Sequence, residues 1–561
     1  MSRPDWIVLV LTLLGIIAYG LYKGRTSRDL DGYFLANRMV PWYMVLLGIM
    51  GTQASAVTFL SAPGQAYTDG MRFVQYYFGL PLAMVVLCIT FVPAFRRLKI
   101  YTAYEFLEQR FDLKTRTLTS FLFLLQRGLS TGISISAPSI ILSSLLGWDI
   151  IWTNIFMGGL LIIYTMTGGA KAVAYTQQLQ LIIIFAGMFI AGYMVIHHLP
   201  AGVGISEALH IGGKAGKLNI ITTGVSSKGF DWNDRYNLFS GIIGGFFLAL
   251  SYFGTDQSQV GRYLTARSVS ESRLGLLMNG LVKVPMQFLI LLLGVLVFAF
   301  YQFNKEPVFF NQSQIDLLAS SKYKDSLKVL EKAYEATESA RITALSFPQQ
   351  LKVIEGQKAG YKATVRRWLK DIGGDDNDTN YIFLRFVVDY LPKGLVGLLI
   401  AVIFLAAWGS IAATLNSLAS CTIVDFHKRY SRTTNEEKEY RLSRMYTLFW
   451  GVFCVAVAQL AYNLGNSLIE AVNVLGSLFY GVILGIFLVA FYRKRVGATA
   501  VFISAIIVEA GVIFLNILSR KGIVPLSFLW FNVVGAIGVI LLSEIIQICS
   551  PKLNIRLRDK A

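Results

Sequence analysis

Apolar runs of about twenty residues recur along almost the whole chain, and they constrain its fold more than any other feature. A helix of that length can cross a bilayer, where only helices and closed barrels satisfy their own backbone. Of the 561 residues, 55% are hydrophobic and only 15% are charged. A soluble chain of this length would carry far more charge. These runs therefore predict an all-α polytopic membrane protein.

The length rule predicts about thirteen transmembrane helices. Lys and Arg concentrate in alternate connections and in the basic tail 552–560, with Arg520 and Lys521 as the exception. Because positive charge is retained inside, we expect a multi-pass protein of the cell (inner) membrane with its N-terminus outside and its C-terminus cytoplasmic. The predicted spans lie near residues 5–23, 41–67, 75–95, 117–145, 149–167, 175–198, 237–256, 274–303, 393–424, 443–463, 467–492, 497–518 and 525–549.

Several classes of function are not expected from this chain. The net charge is +18, but no basic face with interleaved aromatic residues indicates nucleic-acid binding. No GxxxxGK[ST] sequence indicates a nucleotide-driven pump, and the four histidines have no ligand or catalytic pattern around them, so no enzyme is expected. Four cysteines in apolar runs are expected to be small buried residues: Cys88, Cys421, Cys454 and Cys549.

The outer connection 304–380 differs from the others because KYKDSLKVLEKAYEATESARI has apolar residues at helical spacing among mixed charges. This pattern predicts a small external helical hairpin. It could cover the outer mouth of a transport path, or it could be a solvated insertion without function. The sequence leaves both interpretations open.

The second predicted span contains GIMGTQASAVTFLSAPGQAY, Gly48 to Tyr67, which is poor in large aliphatic residues. Small, polar and helix-breaking residues are tolerated at membrane depth only inside protein or beside a cavity. One interpretation is a discontinuous helix whose freed carbonyls and amides bind an ion or a solute. The other is a helix packed closely through small residues.

A second stretch of small residues lies in LVGLLIAVIFLAAWGSIAATLNSLASCTIVDF. Ala406, Gly409 and Ser410 are spaced i, i+3 and i+4, so they share one helix face. Thr414 and Ser417 extend that face with hydroxyl groups. These oxygens could bind a monovalent cation beside a broken helix, or the face could serve close packing.

Three ionisable residues lie inside apolar spans, where a charge normally faces a cavity or a partner. Arg127 is interpreted either as a functional cation or as half of a buried pair with a structural carboxylate. Lys283 is either functional or reaches out from a span end. Glu509 either pairs or faces water.

Four stretches in order resemble the sodium/solute symporter family. They are SAVTFLSAPGQAYTDG, IYTMTGGAKAVAYTQQLQ, SYFGTDQSQVGRYLTARS and AAWGSIAATLNSLASCTIVDF. The resemblance implies the LeuT-type fold, with two inverted five-helix repeats and with spans two and seven broken. It excludes residues 304–380. We therefore expect a first span and its loop at 1–40, spans two to eight at 41–303, the insertion at 304–380, spans nine to eleven at 381–492, and two last spans with the tail at 493–561.

The same resemblance implies a sodium site as the one cofactor site. Its ligands would be the carbonyls of Gly51, Ala54 and Ala406 and the hydroxyl of Ser410. Gly409 replaces a second hydroxyl that the family usually carries. Gln177 replaces an aspartate that supports a second sodium in some members, which favours one sodium per cycle.

The resemblance also implies where the solute lies, and it gives candidate contacts at Gln53, Thr58, Tyr77, Arg127 and Lys283, with a gate at Tyr252 and Phe253. Of the positions that bind sugar in sugar carriers, only Lys283 matches. A guanidinium suits a carboxylate, so Arg127 predicts a small organic anion. The expected function is sodium-coupled symport by alternating access. The alternatives are a sodium/sugar symporter and, in other classes, a sodium-gated channel or a transporter-like sensor. The oligomeric state is left open.

Overall fold

The computed structural model describes residues 1–24, 38–227, 229–343, 348–430, 436–461 and 468–549, so the predicted basic tail 552–560 lies outside the described residues. The described residues are mainly helical, and their one sheet is a hairpin of two short strands, Val225–Ser226 (β1) and Gly229–Phe230 (β2). Its helices, in chain order, are α1 Arg3–Gly24, α2 Trp42–Gln53, α3 Ala56–Asp69, α4 Leu80–Ile89, α5 Phe91–Arg97, α6 Glu105–Arg110, α7 Leu113–Leu146, α8 Ile150–His197, α9 Ile205–Lys214, α10 Gly245–Thr255, α11 Gln257–Leu264, α12 Val269–Phe303, α13 Gln312–Ala319, α14 Lys324–Thr343, α15 Pro348–Asp371, α16 Ile382–Tyr390, α17 Leu395–Cys421, α18 Lys428–Tyr430, α19 Glu436–Ala461, α20 Leu468–Tyr492, α21 Ala498–Arg520 and α22 Leu529–Cys549.

Ten helices in the described part are long and apolar enough to cross a membrane, or eleven when the bent pair α2 and α3 is counted as one span. Two of the predicted spans are covered only by shorter apolar segments, Ile150–Met166 and Ser240–Thr255. The count of thirteen is therefore not confirmed. The first of these segments belongs to α8, which continues to His197 where the sequence predicts two separate spans.

The predicted break in the second span is confirmed. Helix α2 ends at Gln53, α3 begins at Ala56, and their directions differ by 62°. The amide of Ala54 still donates to Met50 O at 2.6 Å, but Ser55 is extended, with φ −83° and ψ 171°. The i to i−4 hydrogen bonds stop there, which frees backbone groups at the break.

Small residues allow α12 to lie close to both halves of the broken helix. A Cβ on Gly294 would come within 2.1 Å of Pro63 O in α3, and one on Gly275 within 2.8 Å of Val45 Cγ1 in α2. The two interpretations of the Gly48–Tyr67 stretch are therefore not exclusive, since the helix is broken and also closely packed.

The insertion forms helices, as its sequence pattern predicts. Helices α14 and α15 pack side by side and the shorter α13 contacts both. They share an apolar cluster separate from the main core, which includes Leu318, Leu327, Leu330, Val365 and Leu369.

Two expectations about single residues have different outcomes. Cys88, Cys421 and Cys454 are buried, but the prediction that Cys549 is buried is wrong, because it is exposed at the last residue of α22. Glu509 is buried in α21, and neither carboxylate oxygen has a hydrogen-bond partner in the described part of the chain.

Candidate functional site

A cavity of about 120 Å³ lies beside the break between α2 and α3. It brings together five of the residues expected at the solute site or its gate: Gln53, Thr58, Tyr77, Tyr252 and Phe253. Its other walls come from helices that are far apart in the chain: Ser55, Val57, Tyr76, Leu80, Gln126, Gly245, Leu248, Ala249, Ile469, Val472, Asn473, Gly476 and Tyr480.

Amide side chains give this cavity its hydrogen-bonding character. Gln53 Oε1, Gln126 Oε1 and Asn473 Nδ2 are buried without a hydrogen-bond partner among the described residues. The opposite atom of Asn473, Oδ1, accepts from Tyr76 Oη at 3.1 Å, which orients the amide. Buried polar groups are nearly always paired with protein, water or ligand. The three orphaned atoms are therefore available to a polar solute.

Sequence reasoning missed Gln126 and Asn473. Each is a polar residue in an otherwise apolar span, and Gln126 directly precedes Arg127. That signal was present in the sequence but did not distinguish cavity-lining residues from other buried polar residues.

The expected gate residues lie together at one side of the cavity. The rings of Tyr252 and Phe253 meet edge to face, with centroids 4.9 Å apart. The Tyr252 hydroxyl accepts from Gln259 Nε2 at 2.7 Å and from Arg127 Nη2 at 3.5 Å. The gate tyrosine is thus connected to the buried arginine.

Arg127 forms a buried pair with Asp256, Nε to Oδ2 at 3.4 Å. The same carboxylate oxygen accepts from Tyr480 Oη at 2.6 Å, and the other accepts from the amide and hydroxyl of Ser258. The guanidinium carbon lies 5.4 Å from the Tyr252 ring centroid. Asp256 was missed by sequence reasoning, although it stands in the quoted stretch SYFGTDQSQVGRY, as an acidic residue just after an apolar span.

The pairing with Asp256 does not enclose the Arg127 side chain. Arg127 is not in the lining of the cavity beside the break, but it lines a second, smaller cavity of about 60 Å³. Both interpretations of Arg127 therefore describe its environment, because it is paired with a carboxylate and also faces a cavity. The other residues around that cavity are Thr52, Gln53, Ser55, Thr131, Ser134, Tyr252, Ser410, Ile411 and Thr414.

Residues with hydroxyl groups make up most of the lining of this smaller cavity, beside Arg127. Oxygen is the ligand type that a hard monovalent cation prefers. Among the cavity's described lining residues, Ser410 is the only one of the four expected sodium ligands. Its hydroxyl lies 3.0 Å from Ala406 O and 3.1 Å from Ala407 O. Gly51, Ala54 and Ala406 are buried next to this region in α2, at the break and in α17. The oxygen-rich lining fits a sodium ion.

The two departures from the family pattern, Gln177 and Gly409, contact each other. Gln177 Nε2 donates to Gly409 O at 3.0 Å and to Thr52 Oγ1 at 3.2 Å. A Cβ on Gly409 would lie 2.5 Å from Gln180 Oε1 and 3.3 Å from Gln177 Cγ. Gln177 therefore links the broken helix to α17 and occupies space that a larger residue at 409 would need.

Lys283 is fully buried in α12, which contradicts the interpretation that it reaches out from a span end. Its Nζ lies 5.5 Å from the centroid of the Tyr77 ring and has no hydrogen-bond partner in the described structure. Tyr77 lines the cavity beside the break, and Lys283 is not among the residues that line it.

Comparisons with known proteins concern the whole chain and its fold. A sequence model of the sodium:solute symporter family matches residues 33–315 and 353–508. The chain is 24% identical over 544 residues to a sodium/sialic acid symporter of Aliivibrio fischeri, covering 96% of this chain and 91% of that one. It is 26% identical over 493 residues to the sodium-coupled monocarboxylate transporter 1 of Xenopus laevis, covering 86% and 67%. A solved structure of a Na⁺-coupled sialic acid symporter, substrate-bound and outward-open, has the same fold, with a TM-score of 0.75 at 23% identity over 97% of both chains.

Proposed function

Since this chain belongs to the sodium:solute symporter family, it is a sodium-coupled solute symporter, and we propose that its solute is a small organic anion that also carries hydroxyl or amide groups. The relatives that match nearly full length transport sialic acid, according to their names, and others transport monocarboxylates. A carboxylate is the feature that these solutes share.

The position of Arg127 is the observation that carries the proposal. It lines the smaller cavity, contacts the gate tyrosine that lines both cavities, and is only 9% exposed. A guanidinium at such a site can offer a planar pair of N–H donors to a carboxylate. The orphaned amide atoms of Gln53, Gln126 and Asn473 would meet the hydroxyl or amide groups of the same solute.

We place the sodium ion beside the break, bound by the Ser410 hydroxyl and by the carbonyls of Gly51, Ala54 and Ala406, at one ion per cycle. The oxygen-lined smaller cavity and the freed backbone at Ser55 support this position. An ion there would connect the broken helix to α17. Since binding of each ligand raises the affinity of the other by the same factor, sodium would assemble the solute site in the outward-facing state.

The direction of transport follows from the gradients. One sodium ion crossing 100 mV releases about 2.3 kcal/mol, and a tenfold concentration gradient adds about 1.4 kcal/mol. Import of a monovalent anion with one sodium moves no net charge, so only the concentration gradient drives it. We place the protein in the cell membrane with its N-terminus outside, following the distribution of Lys and Arg in the connections.

The test is uptake of labelled sialic acid and monocarboxylates into proteoliposomes by wild type and Arg127→Ala, with and without sodium. Loss of a charge-assisted hydrogen bond of about 1.5–3 kcal/mol predicts affinity at least tenfold weaker. Asp256→Asn is the matched control, because it removes the charge of the partner and leaves the guanidinium in place. Unchanged uptake and affinity in Arg127→Ala would exclude Arg127 as the anion contact.

A neutral sugar is the second candidate, because the orphaned amides could equally bind sugar hydroxyls. The two candidates differ in charge movement. Sodium with a neutral sugar carries net charge, so a potassium-diffusion potential would accelerate uptake. Sodium with a monovalent anion would not respond to that potential.

A further inference from the structure

The insertion is attached directly to α3, the outer half of the broken helix. Ser61 Oγ donates to Asn380 Oδ1 at 2.6 Å, and both groups are buried. A Cβ on Gly64 would lie only 1.9 Å from Thr379 O, so the two backbones touch. Every residue from Ala56 to Tyr67 is buried. The match to the family stops at residue 315 and resumes at 353, so all of α14 lies outside it. The segments 304–315 and 353–380, which the resemblance was expected to exclude, lie inside the match.

A charged cluster fastens the same helix end. The Tyr67 hydroxyl donates to Glu306 Oε1 at 2.5 Å. Lys362 Nζ lies 2.5 Å from the same oxygen, and Lys358 Nζ lies 3.0 Å from Glu306 Oε2. Tyr67, Glu306 and Lys358 are each at most 8% exposed. Both lysines belong to α15 of the insertion, so the insertion positions the carboxylate that holds Tyr67. We call Tyr67, Glu306, Lys358 and Lys362 the outer cluster.

The cluster continues to the end of α12. Lys358 Nζ also contacts Glu338 Oε1 at 2.7 Å, and Glu338 pairs with Arg341 at 3.0 Å. Arg341 donates to the carbonyls of Tyr301, Gln302 and Asn304. These carbonyls close the C-terminal end of α12, where a cation is favoured. The insertion therefore connects the outer half of the broken helix with the outer end of α12.

Glu306 in the outer cluster is ionised at neutral pH. Burial alone would raise the pKa of Glu306, but Lys362 and Lys358 outweigh it and lower that pKa to about 2. Glu306 therefore remains a carboxylate under any physiological condition. The contact cannot be released by ordinary acidification.

We propose that the insertion holds the outer half of the broken helix in place, that the outer mouth opens only when the Tyr67–Glu306 and Ser61–Asn380 contacts separate, and that Lys358 and Lys362 are positioning residues for this step. The proposal rests on sodium-coupled symport as the reaction. It decides between the two interpretations of residues 304–380 in favour of a cover that takes part in the cycle.

Hydrogen–deuterium exchange of the purified full chain tests the first part. Tyr67→Phe removes one hydroxyl and nothing else, and we expect the amides of 56–69 to exchange at least fivefold faster than in wild type. Glu306→Gln should act in the same direction. Tyr323→Phe is the matched control, because its hydroxyl also donates to a carboxylate, Asp371 at 2.7 Å, but within the insertion only. Equal exchange in Tyr67→Phe and wild type would overturn the proposal.

A reversible bridge tests the second part. Ser61→Cys and Asn380→Cys are joined by a short bis-methanethiosulfonate reagent before reconstitution. We expect sodium-driven uptake to stop and to return on reduction. Uptake at the unbridged rate would show that these segments need not separate, which refutes the proposal. If wild type shows no sodium-driven uptake at all, symport itself fails, whereas the exchange experiment still tests the contact.

Discussion

Gly64→Ala sets helix propensity against packing at the contact between α3 and the insertion. In a helix, Ala is favoured over Gly by about 1 kcal/mol, which alone would stabilise the protein. The new Cβ, however, would lie 1.9 Å from Thr379 O and 3.0 Å from Thr379 C. Real Cβ contacts essentially never fall below 3.0 Å, so two backbone segments must separate by more than 1 Å.

Backbone cannot rotate away as a flexible side chain can, so the cost should reach the upper end of the range of about 1–3 kcal/mol for overpacking. Packing then outweighs propensity, and we expect a net loss of about 2 kcal/mol. Thermal unfolding in detergent, followed by tryptophan fluorescence with and without sodium, measures the change. We expect the midpoint to fall by several degrees.

Gly360→Ala is the matched control for this experiment. Gly360 is exposed in α15, and a Cβ there would have no atom within 4 Å. Only propensity acts at this position, so the variant should gain about 0.5–1 kcal/mol. The reasoning would be refuted if both variants shifted in the same direction, since that would mean that Thr379 does not lie against Gly64.

Three further predictions concern other parts of the molecule. Gln177→Ala removes the bonds to Thr52 and Gly409, each worth about 1 kcal/mol, so sodium affinity measured by uptake should fall by up to about thirtyfold. In the wild type, Arg116 Nη2 lies 2.6 Å from Asp425 Oδ1. Asp425→Ala removes this buried partner of Arg116, so the free energy of unfolding, measured by thermal unfolding, should fall by about 3–5 kcal/mol. The pKa of Glu306 is lowered from 4.5 to about 2. The ionised Glu306 therefore stabilises the folded protein by about 3 kcal/mol above pH 4.5, and this stabilisation is lost as the pH falls towards 2.

Each of these has a result that would contradict it. Sodium affinity in Gln177→Ala equal to wild type would show that the link between α2 and α17 does not position the ion. A stable Asp425→Ala would mean that Glu108, 2.5 Å from Arg116, is a sufficient partner. For Glu306, the acid-induced loss of stability should be smaller in Glu306→Gln, and an identical pH profile would argue against the shifted carboxylate.

Local composition was enough to show that the second span does not face lipid, but it left a broken helix and a closely packed helix open, and only the resemblance to the family favoured the break. Thr52, Gln53, Ser55 and Pro63 in a span are incompatible with a lipid-facing helix, because backbone groups must be satisfied wherever the helix is interrupted. The helical character of the insertion could also be predicted, since the spacing of apolar residues in KYKDSLKVLEKAYEATESARI is a local property of the chain.

Pairings between distant residues could not be predicted in the same way. Arg127 was identified as a buried charge that needs a partner, but the partner is Asp256, 129 positions later in the sequence. Gln177 and Gly409 were recognised as two separate departures from a pattern, and their contact at 3.0 Å explains them together. Lys283 was expected near the solute, and only the packing of α12 shows that it lies against the Tyr77 ring and not in the lining of the cavity.

The sequence by itself determined a helical membrane protein, a second span that cannot face lipid, and a buried arginine that needs a partner or a cavity. These follow from hydrophobicity, backbone satisfaction and charge, which act locally along the chain. Only the tertiary structure decided which amides face the cavity and that the insertion holds Tyr67 through Glu306. Those contacts depend on how helices cross, and crossing is decided by packing over the whole bundle, which no single stretch of sequence contains.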